Sequence, residues 1–231
     1  TLSLHDALPI LAYCLNHDFL RRLRSFCDSL KPDFFLLGET LHGDYNQIMN
    51  DEMLHSVTNY ECYKGLYSSF NCMNMFEINH SLLRQFGPEN WTLYKGKHLL
   101  SFVDNHDVTR VASILNNANH LPLIYTLAFG MPGIPCVYYG SEWGATGRKE
   151  DGDPALRVSF DTPIWNDLTT FISKLAVAKK SSNALNYGSF SSIVLTNEQC
   201  IFLRQYNDER VLVAINASEQ PYFASFNIGT D

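Results

Sequence analysis

Three short apolar runs in this sequence end in acidic residues. Residues 34–37 (Phe-Phe-Leu-Leu) run into Gly38-Glu39, residues 99–103 into Asp104-Asn105-His106-Asp107, and residues 134–139 into Gly140-Ser141-Glu142. A carboxylic acid near a carboxylate, with a neutral histidine supplying hydrogen bonds, is the equipment for cleaving a glycosidic bond. Taken singly, Glu39 reads as an ordinary loop carboxylate and His106 as a histidine bonded to a backbone carbonyl. Their joint appearance after similar runs is what favours shared chemistry. Asp153 and Arg157 have the i,i+4 spacing of a surface ion pair. Tyr60, Tyr63, Tyr138, Tyr139 and Trp143 lie near the run ends, either as stacking platforms for a ligand or as packing.

The elements that must position these groups follow from periodicity. A continuous apolar run as short as 34–37 reads as a strand buried on both faces, as in a parallel sheet. Within residues 16–30, Phe19, Leu20, Leu23, Phe26, Cys27 and Leu30 share one helical face, with Asn16 or Asp18 as cap and Lys31-Pro32 as stop. Residues 54–60 form a weaker strand pattern, 64–86 a long aromatic-rich helix, 99–103 a strand, 109–129 a mostly helical stretch and 134–139 a third clear strand. Asp161 then stands as cap of a helix in which Leu168, Phe171, Ile172 and Leu175 share a face. Alternating strand and helix predicts βα units on a parallel sheet, four of them, preceded by one helix without a strand. From about residue 181 the texture changes. Residues 190–195, 200–206, 210–215 and 222–228 are strand-like, with turn clusters such as Asn207-Asp208 between them, and predict a small antiparallel β domain. In a β/α barrel, active sites are built at the C-terminal ends of the strands. Glu39, residues 104–107 and Glu142 all fall there.

Composition bounds the rest. The 231 residues are 45% hydrophobic and 18% charged, a globular balance that excludes disorder. Apolar runs stay far below the ~18 residues a membrane-spanning helix needs. A net charge of -7 argues against a nucleic-acid or polyphosphate partner. Six scattered cysteines lack C-x-x-C spacing, and Cys14, Cys27 and Cys136 sit in apolar runs as small core residues with free thiols. Residues 1–10 have neither the basic nor the apolar region of a secretory signal, so a reducing, cytoplasmic setting without membrane attachment is expected.

Three ordered segments carry a family resemblance. Phe102-Val103-Asp104-Asn105-His106-Asp107 resembles the strand-seven motif of the alpha-amylase family (glycoside hydrolase family 13). Leu36-Leu37-Gly38-Glu39 resembles its strand-five motif, and Gly133-Ile134-Pro135-Cys136-Val137-Tyr138-Tyr139-Gly140 its strand-eight segment. The resemblance implies the second half of a (β/α)8 TIM barrel, strands five to eight, over residues 11–180. An incomplete β-sandwich domain over 181–231 follows. It implies Glu39 as general acid/base and Asp107 as the second carboxylate, holding the sugar and stabilising the oxocarbenium-like transition state. His106 and Asn105 would contact substrate in the cleavage subsite, with Asp153 and Arg157 contacting glucose on the donor side. The implied substrate is an alpha-glucan or maltooligosaccharide, cleaved at alpha-1,4 or alpha-1,6 bonds. No cofactor is expected. The family's calcium-ligand asparagine would lie upstream of these segments.

One position departs from the family. Its retaining mechanism uses a nucleophilic aspartate at the end of strand four, in an Arg-x-Asp motif followed by two small or apolar residues. Matching Leu11-Ala12 to those two residues puts Ile10 where the aspartate belongs and Leu8 where the arginine belongs; Asp6 is four residues early. Residues 1–10 otherwise match nothing in the family and resemble translated adapter sequence. The expectation is a non-native segment joined to an N-terminally truncated, inactive enzyme. Two rivals compete. Asp104-x-His106 and Asn105-His106-Asp107 also suit the metal ligands of a metallophosphoesterase, but that site needs further histidines, and none follows His120. A non-catalytic, amylase-like binding protein would also lack the nucleophile, although it has no reason to keep both Glu39 and Asp107.

Overall fold

A computed structural model of the chain describes residues 7–228. Five strands, β1 (Ala7–Leu11), β2 (Phe35–Glu39), β3 (Ser56–Val57), β4 (Leu100–Phe102) and β5 (Ile134–Cys136), run parallel in chain order. The two ladders, β1-β2-β3 and β4-β5, are joined by a parallel bridge between Thr58 and Leu100. Sequential parallel neighbours connected by helices make the wall of a β/α barrel. The helix expected to lack a strand therefore has one. β1 pairs with β2 from Ala7↔Phe35 to Leu11↔Glu39, and Pro9 is tolerated because β1 lies at the edge of its ladder. Residues 1–6 of the segment read as non-native lie outside the described residues.

Helices α1 (His17–Leu30), α2 (Tyr60–Asn71), α3 (Phe76–Phe86), α4 (Val111–Ile114) and α5 (Leu121–Gly130) fill the crossovers. Asn16 caps α1, its Oδ1 accepting from the Asp18 and Phe19 amides. Only part of the expected α1 face is covered: Leu20 and Cys27 are buried, whereas Phe19, Phe26 and Leu30 are exposed. The long helix expected over 64–86 starts earlier, behind the Asn59 cap, and breaks between α2 and α3, where Met73 takes φ 48. The break has a cause. The Asn71 side chain leaves the helix to donate to the Ile114 carbonyl (2.8 Å) and accept from the Asn116 amide (2.9 Å). Cys14, expected in the core, is exposed, while Cys27 is buried and Cys136 half-buried.

After β5 come α6 (Asp153–Leu156), α7 (Asp167–Ser181) and α8 (Asn183–Tyr187). Asn166 caps α7, in place of the expected Asp161. Its Oδ1 accepts from the Thr169 amide (3.0 Å), and Thr169 Oγ1 accepts from the Asn166 amide (3.4 Å). The chain then forms an antiparallel meander, β6 (Ser189–Leu195), β7 (Gln199–Tyr206) and β8 (Glu209–Asn216), with Asn207 at φ 51 in the β7–β8 turn. The segment expected as a strand over 222–228 is irregular, with Phe223 92% exposed and no strand pairing there among the described residues. The meander packs directly on the barrel. A Cβ on Gly130 at the end of α5 would stand 2.7 Å from Val213 Cγ2, a closeness only glycine permits. Phe202, Ile215 and Val213 thus share one core with Ile124 and Leu127. No helix among the described residues is long and apolar enough to cross a membrane.

Candidate active site

Side chains alternate across a strand, so every second residue faces the inside of the curved wall. Leu37 and Glu39, Leu100 and Phe102, Thr58, Cys136 and Tyr138 follow that rule and line a cavity of about 390 Å³. Asp104, Asn105 and His106, beyond the end of β4, close its rim. Glu39 is half-buried at the last position of β2. Gly38 seats it there. A Cβ at this position would collide with Leu54 Cδ1 and stand 2.7 Å from Ala12 Cβ.

Glu39, Asn105 and His106 line the cavity, and Asp107 stands beside them. Glu39, His106 and Asp107 offer side-chain N or O atoms that all lie within 4.8 Å of one another, and His106 Nε2 is 3.3 Å from Asp107 Oδ2. Tyr60 Oη donates to Glu39 Oε1 (3.4 Å), Asn105 Nδ2 donates to Tyr60 Oη (2.8 Å), and Asn105 Oδ1 accepts from the Asp107 amide (2.8 Å). Asn105 therefore ties the loop bearing Asp107 to the carboxylate on β2. Burial pushes the Tyr60 phenol up to about 12, against the Asn105 hydrogen bond, with Glu39 and Asp107 adding to the rise. It stays a donor at neutral pH. Arg157 sits 3.0 Å from Asp107 Oδ1 and 3.6 Å from Asp153 Oδ2. The i,i+4 pair exists, but the closer partner of Arg157 is Asp107. Asp153 reaches the site only through it. Lys149 Nζ also donates to the Asp107 carbonyl (2.6 Å).

Other candidates divide. Tyr138 lines the cavity, while Tyr139, Trp143 and Arg157 line a neighbouring hollow of about 460 Å³. Tyr63 is packing, stacked on Phe102 at 5.2 Å between ring centroids. Glu142 does not line the cavity. Asp104 turns away from His106: its Oδ2 accepts from Ser141 Oγ (2.6 Å) and the Val111 amide (2.8 Å). The Asp-x-His reading as a metal pair loses its aspartate to that inward turn. In the remaining trio, Asp107 already carries a cation, Arg157.

Arg110 was not a candidate on sequence grounds, yet it is fully buried beneath the site. Its guanidinium donates to the Tyr139 carbonyl (2.7 Å), Ser141 Oγ (3.1 Å) and the Leu156 carbonyl (2.9 Å), and lies 4.6 Å from the Tyr138 ring centroid. Burial pushes the Asp104 carboxyl up to about 6, against the Ser141 and Val111 hydrogen bonds and the Arg110 charge, with Glu142 adding to the rise. Between its ordinary value of 3.8 and about 6, folded Asp104 keeps a proton that the unfolded chain has released. Stability therefore falls as pH rises through that window, by about 3 kcal/mol at most. Urea midpoints at pH 4, 5 and 7 should show this decline, flattened in Asp104→Asn.

These features define a β/α-barrel protein with a carboxylate-lined cleft at the C-terminal ends of its strands. Residues 12–190 match the model of the alpha-amylase catalytic domain, and the chain belongs to the alpha-amylase family of glycoside hydrolases. It is 26% identical over 222 residues to a cyclomaltodextrinase of Thermoanaerobacter pseudethanolicus, covering 89% of this chain and 36% of that protein. It is 27% identical over 224 residues to a maltogenic alpha-amylase of Bacillus acidopullulyticus, with the same coverage of 89% and 36%. Its fold matches the cyclic alpha-maltosyl-(1→6)-maltose hydrolase of Arthrobacter globiformis, solved with that sugar, at a TM-score of 0.77 and 22% identity over 91% of this chain and 48% of that one. The chain thus spans about a third of the length of these curated relatives and about half of this structural neighbour.

Proposed function

We propose that the chain forms the second half of an alpha-glucan-binding catalytic barrel. In this reading β2–β5 stand as strands five to eight, and the β6–β8 meander is part of the following β-sandwich domain. Glu39 is the acid that protonates the glycosidic oxygen. Asp107, held by Arg157, takes sugar hydroxyls and faces the positive charge developing at the anomeric carbon. His106 hydrogen-bonds a sugar hydroxyl, Asn105 orients the Tyr60–Glu39 contact, and Asp153 with Arg157 forms the donor-side rim. The observation that carries this is the convergence of Glu39, His106 and Asp107 within 4.8 Å at the cavity rim. Starch-derived oligosaccharides are the substrate class, in keeping with the names of the relatives.

Retaining hydrolysis needs a second carboxyl ~5–5.5 Å from the acid to form the glycosyl-enzyme. The strand beside β2 reads Ala-Leu-Pro-Ile-Leu, with Ile10 the register partner of Gly38, and carries no carboxylate. The chain as it stands therefore binds maltooligosaccharide without turning it over. A second reading, a dedicated binding protein, rests on the same strand, but it leaves the upkeep of Glu39 beside Asp107 without purpose. Calorimetric titration with maltohexaose, run beside an assay for released reducing ends, tests the proposal. Saturable binding without release is expected. Release would overturn the reading of position 10, and absence of binding would overturn the assignment of the cleft.

A further inference from the structure

At the opposite ends of β4 and β5, a cavity of about 450 Å³ lies between the barrel and the β6–β7 hairpin. Lys95, Lys97, His98 and Arg204 line it, and among the described residues no aspartate or glutamate does. That is an unexpected charge balance in a chain of net charge -7. A second hollow of about 430 Å³ shares His98 and Tyr187 with it and adds Lys179. Lys179 and Arg204 are 7% and 1% exposed. Buried cations are ordinarily paired with carboxylates. Among the described residues these two have only carbonyls. Arg204 donates to Ser189 O (3.2 Å), Gly130 O (2.8 Å) and Gly188 O (2.9 Å), and Lys179 to Leu185 O (2.8 Å) and Met131 O (3.3 Å).

Four of those carbonyls lie at or just past the C-terminal ends of α5 and the one-turn α8, and the fifth, Ser189 O, opens β6; peptide dipoles of this kind offset part of a buried positive charge. With only neutral carbonyls facing the Arg204 guanidinium and the Lys179 amino group, the cluster keeps a net positive charge. Lys95 donates to the Pro88 carbonyl on the cavity wall, whereas the Lys97 ammonium is turned to Asn46 Oδ1 and the Met49 carbonyl, neither of which lines the cavity. Glu209 does not relieve the excess, because its carboxylate accepts from Ser182 Oγ and the Ala184 amide. Burial and the mutual repulsion of this cluster hold the Lys179 ammonium down at about 7 and lower His98, and an anion in the cavity would offset both.

We propose that this cavity is a binding site for a small oxyanion, inorganic phosphate or a phosphomonoester. Arg204 lies at its floor and Lys95 at its exposed mouth. The volume falls within the range of small-molecule sites. A guanidinium with N–H groups beyond the three already committed suits a tetrahedral oxyanion. The site is separate from the alpha-glucan cleft and does not depend on its assignment.

The test titrates inorganic phosphate into the whole chain at constant ionic strength, balanced with chloride, by calorimetry and ³¹P linewidth. Glucose 6-phosphate in a parallel arm distinguishes a free phosphate site from a phosphomonoester site. Saturable binding is expected. Ser191→Glu, which puts a carboxylate on the cavity wall, should weaken it at least about tenfold. Should that variant unfold, Lys95→Gln at the exposed mouth should still weaken binding about threefold. A linear, non-saturating response would overturn the site, as would saturation with equal affinity in the parent and a folded variant.

Discussion

In a form of the protein carrying aspartate at position 10 and active on maltooligosaccharides, Glu39→Gln will lower kcat/KM by about 10²-fold or more. Glutamine keeps the size of the side chain and an oxygen able to accept the Tyr60 hydroxyl, which bonds Glu39 Oε1 at 3.4 Å. What it cannot do is give a proton to the departing glycosidic oxygen. The loss should therefore depend on the leaving group. A maltoside of an acidic phenol, which departs without protonation, should be cleaved by the variant far closer to the parental rate. A variant that keeps full activity on maltooligosaccharides would remove Glu39 from the acid role. Equal losses on both substrates would assign it to binding instead. In the chain with Ile10, neither version should release product.

Why Glu39 and Asp107 were legible while their supports were not follows from range. A carboxylate at or just past the end of an apolar run is a local feature, and the common parallel direction of the strands carries it to the rim whatever the distant packing. The Tyr60–Asn105 bond joins residues 45 apart, and the contacts of Arg110 reach 29 to 46 residues along the chain. Nothing in Asp107-Val108-Thr109-Arg110 distinguishes a buried arginine from a solvated one. Local pattern also misled in the other direction. Apolar periodicity runs through 64–86, but Asn71 has a better use for its side chain outside the helix. Residues 222–228 alternate like a strand and find no ladder. Residues 7–10 match no family motif, yet with Leu11 they make a five-residue apolar run that needs only a parallel neighbour to become β1.

The buried arginine carries the other large expectation. Arg110→Met should cost about 3 kcal/mol or more, a sizeable share of the 5–15 kcal/mol that holds an ordinary domain folded. Methionine fills similar volume, so the loss is one of hydrogen bonding rather than of packing. The carbonyls of Tyr139 and Leu156 and the hydroxyl of Ser141 each lose a donor, inside protein where water offers little replacement. The consequences converge on the cleft. Leu156 precedes Arg157, the residue paired with Asp107, and Tyr138, against which Arg110 packs, lines the cavity. Removing the guanidinium also deprives Asp104 of a neighbouring positive charge, so its carboxyl should rise further. Arg110→Lys returns the charge but not the planar fork that spans three acceptors, and should recover less than half of the loss. Urea denaturation of the three proteins measures the stability ranking, and maltohexaose titration measures whether the Arg157–Asp107 pair loosens with it. A methionine variant as stable as the parent would mean that the segment after β5 and the end of α6 are held to Arg110 by apolar contacts alone.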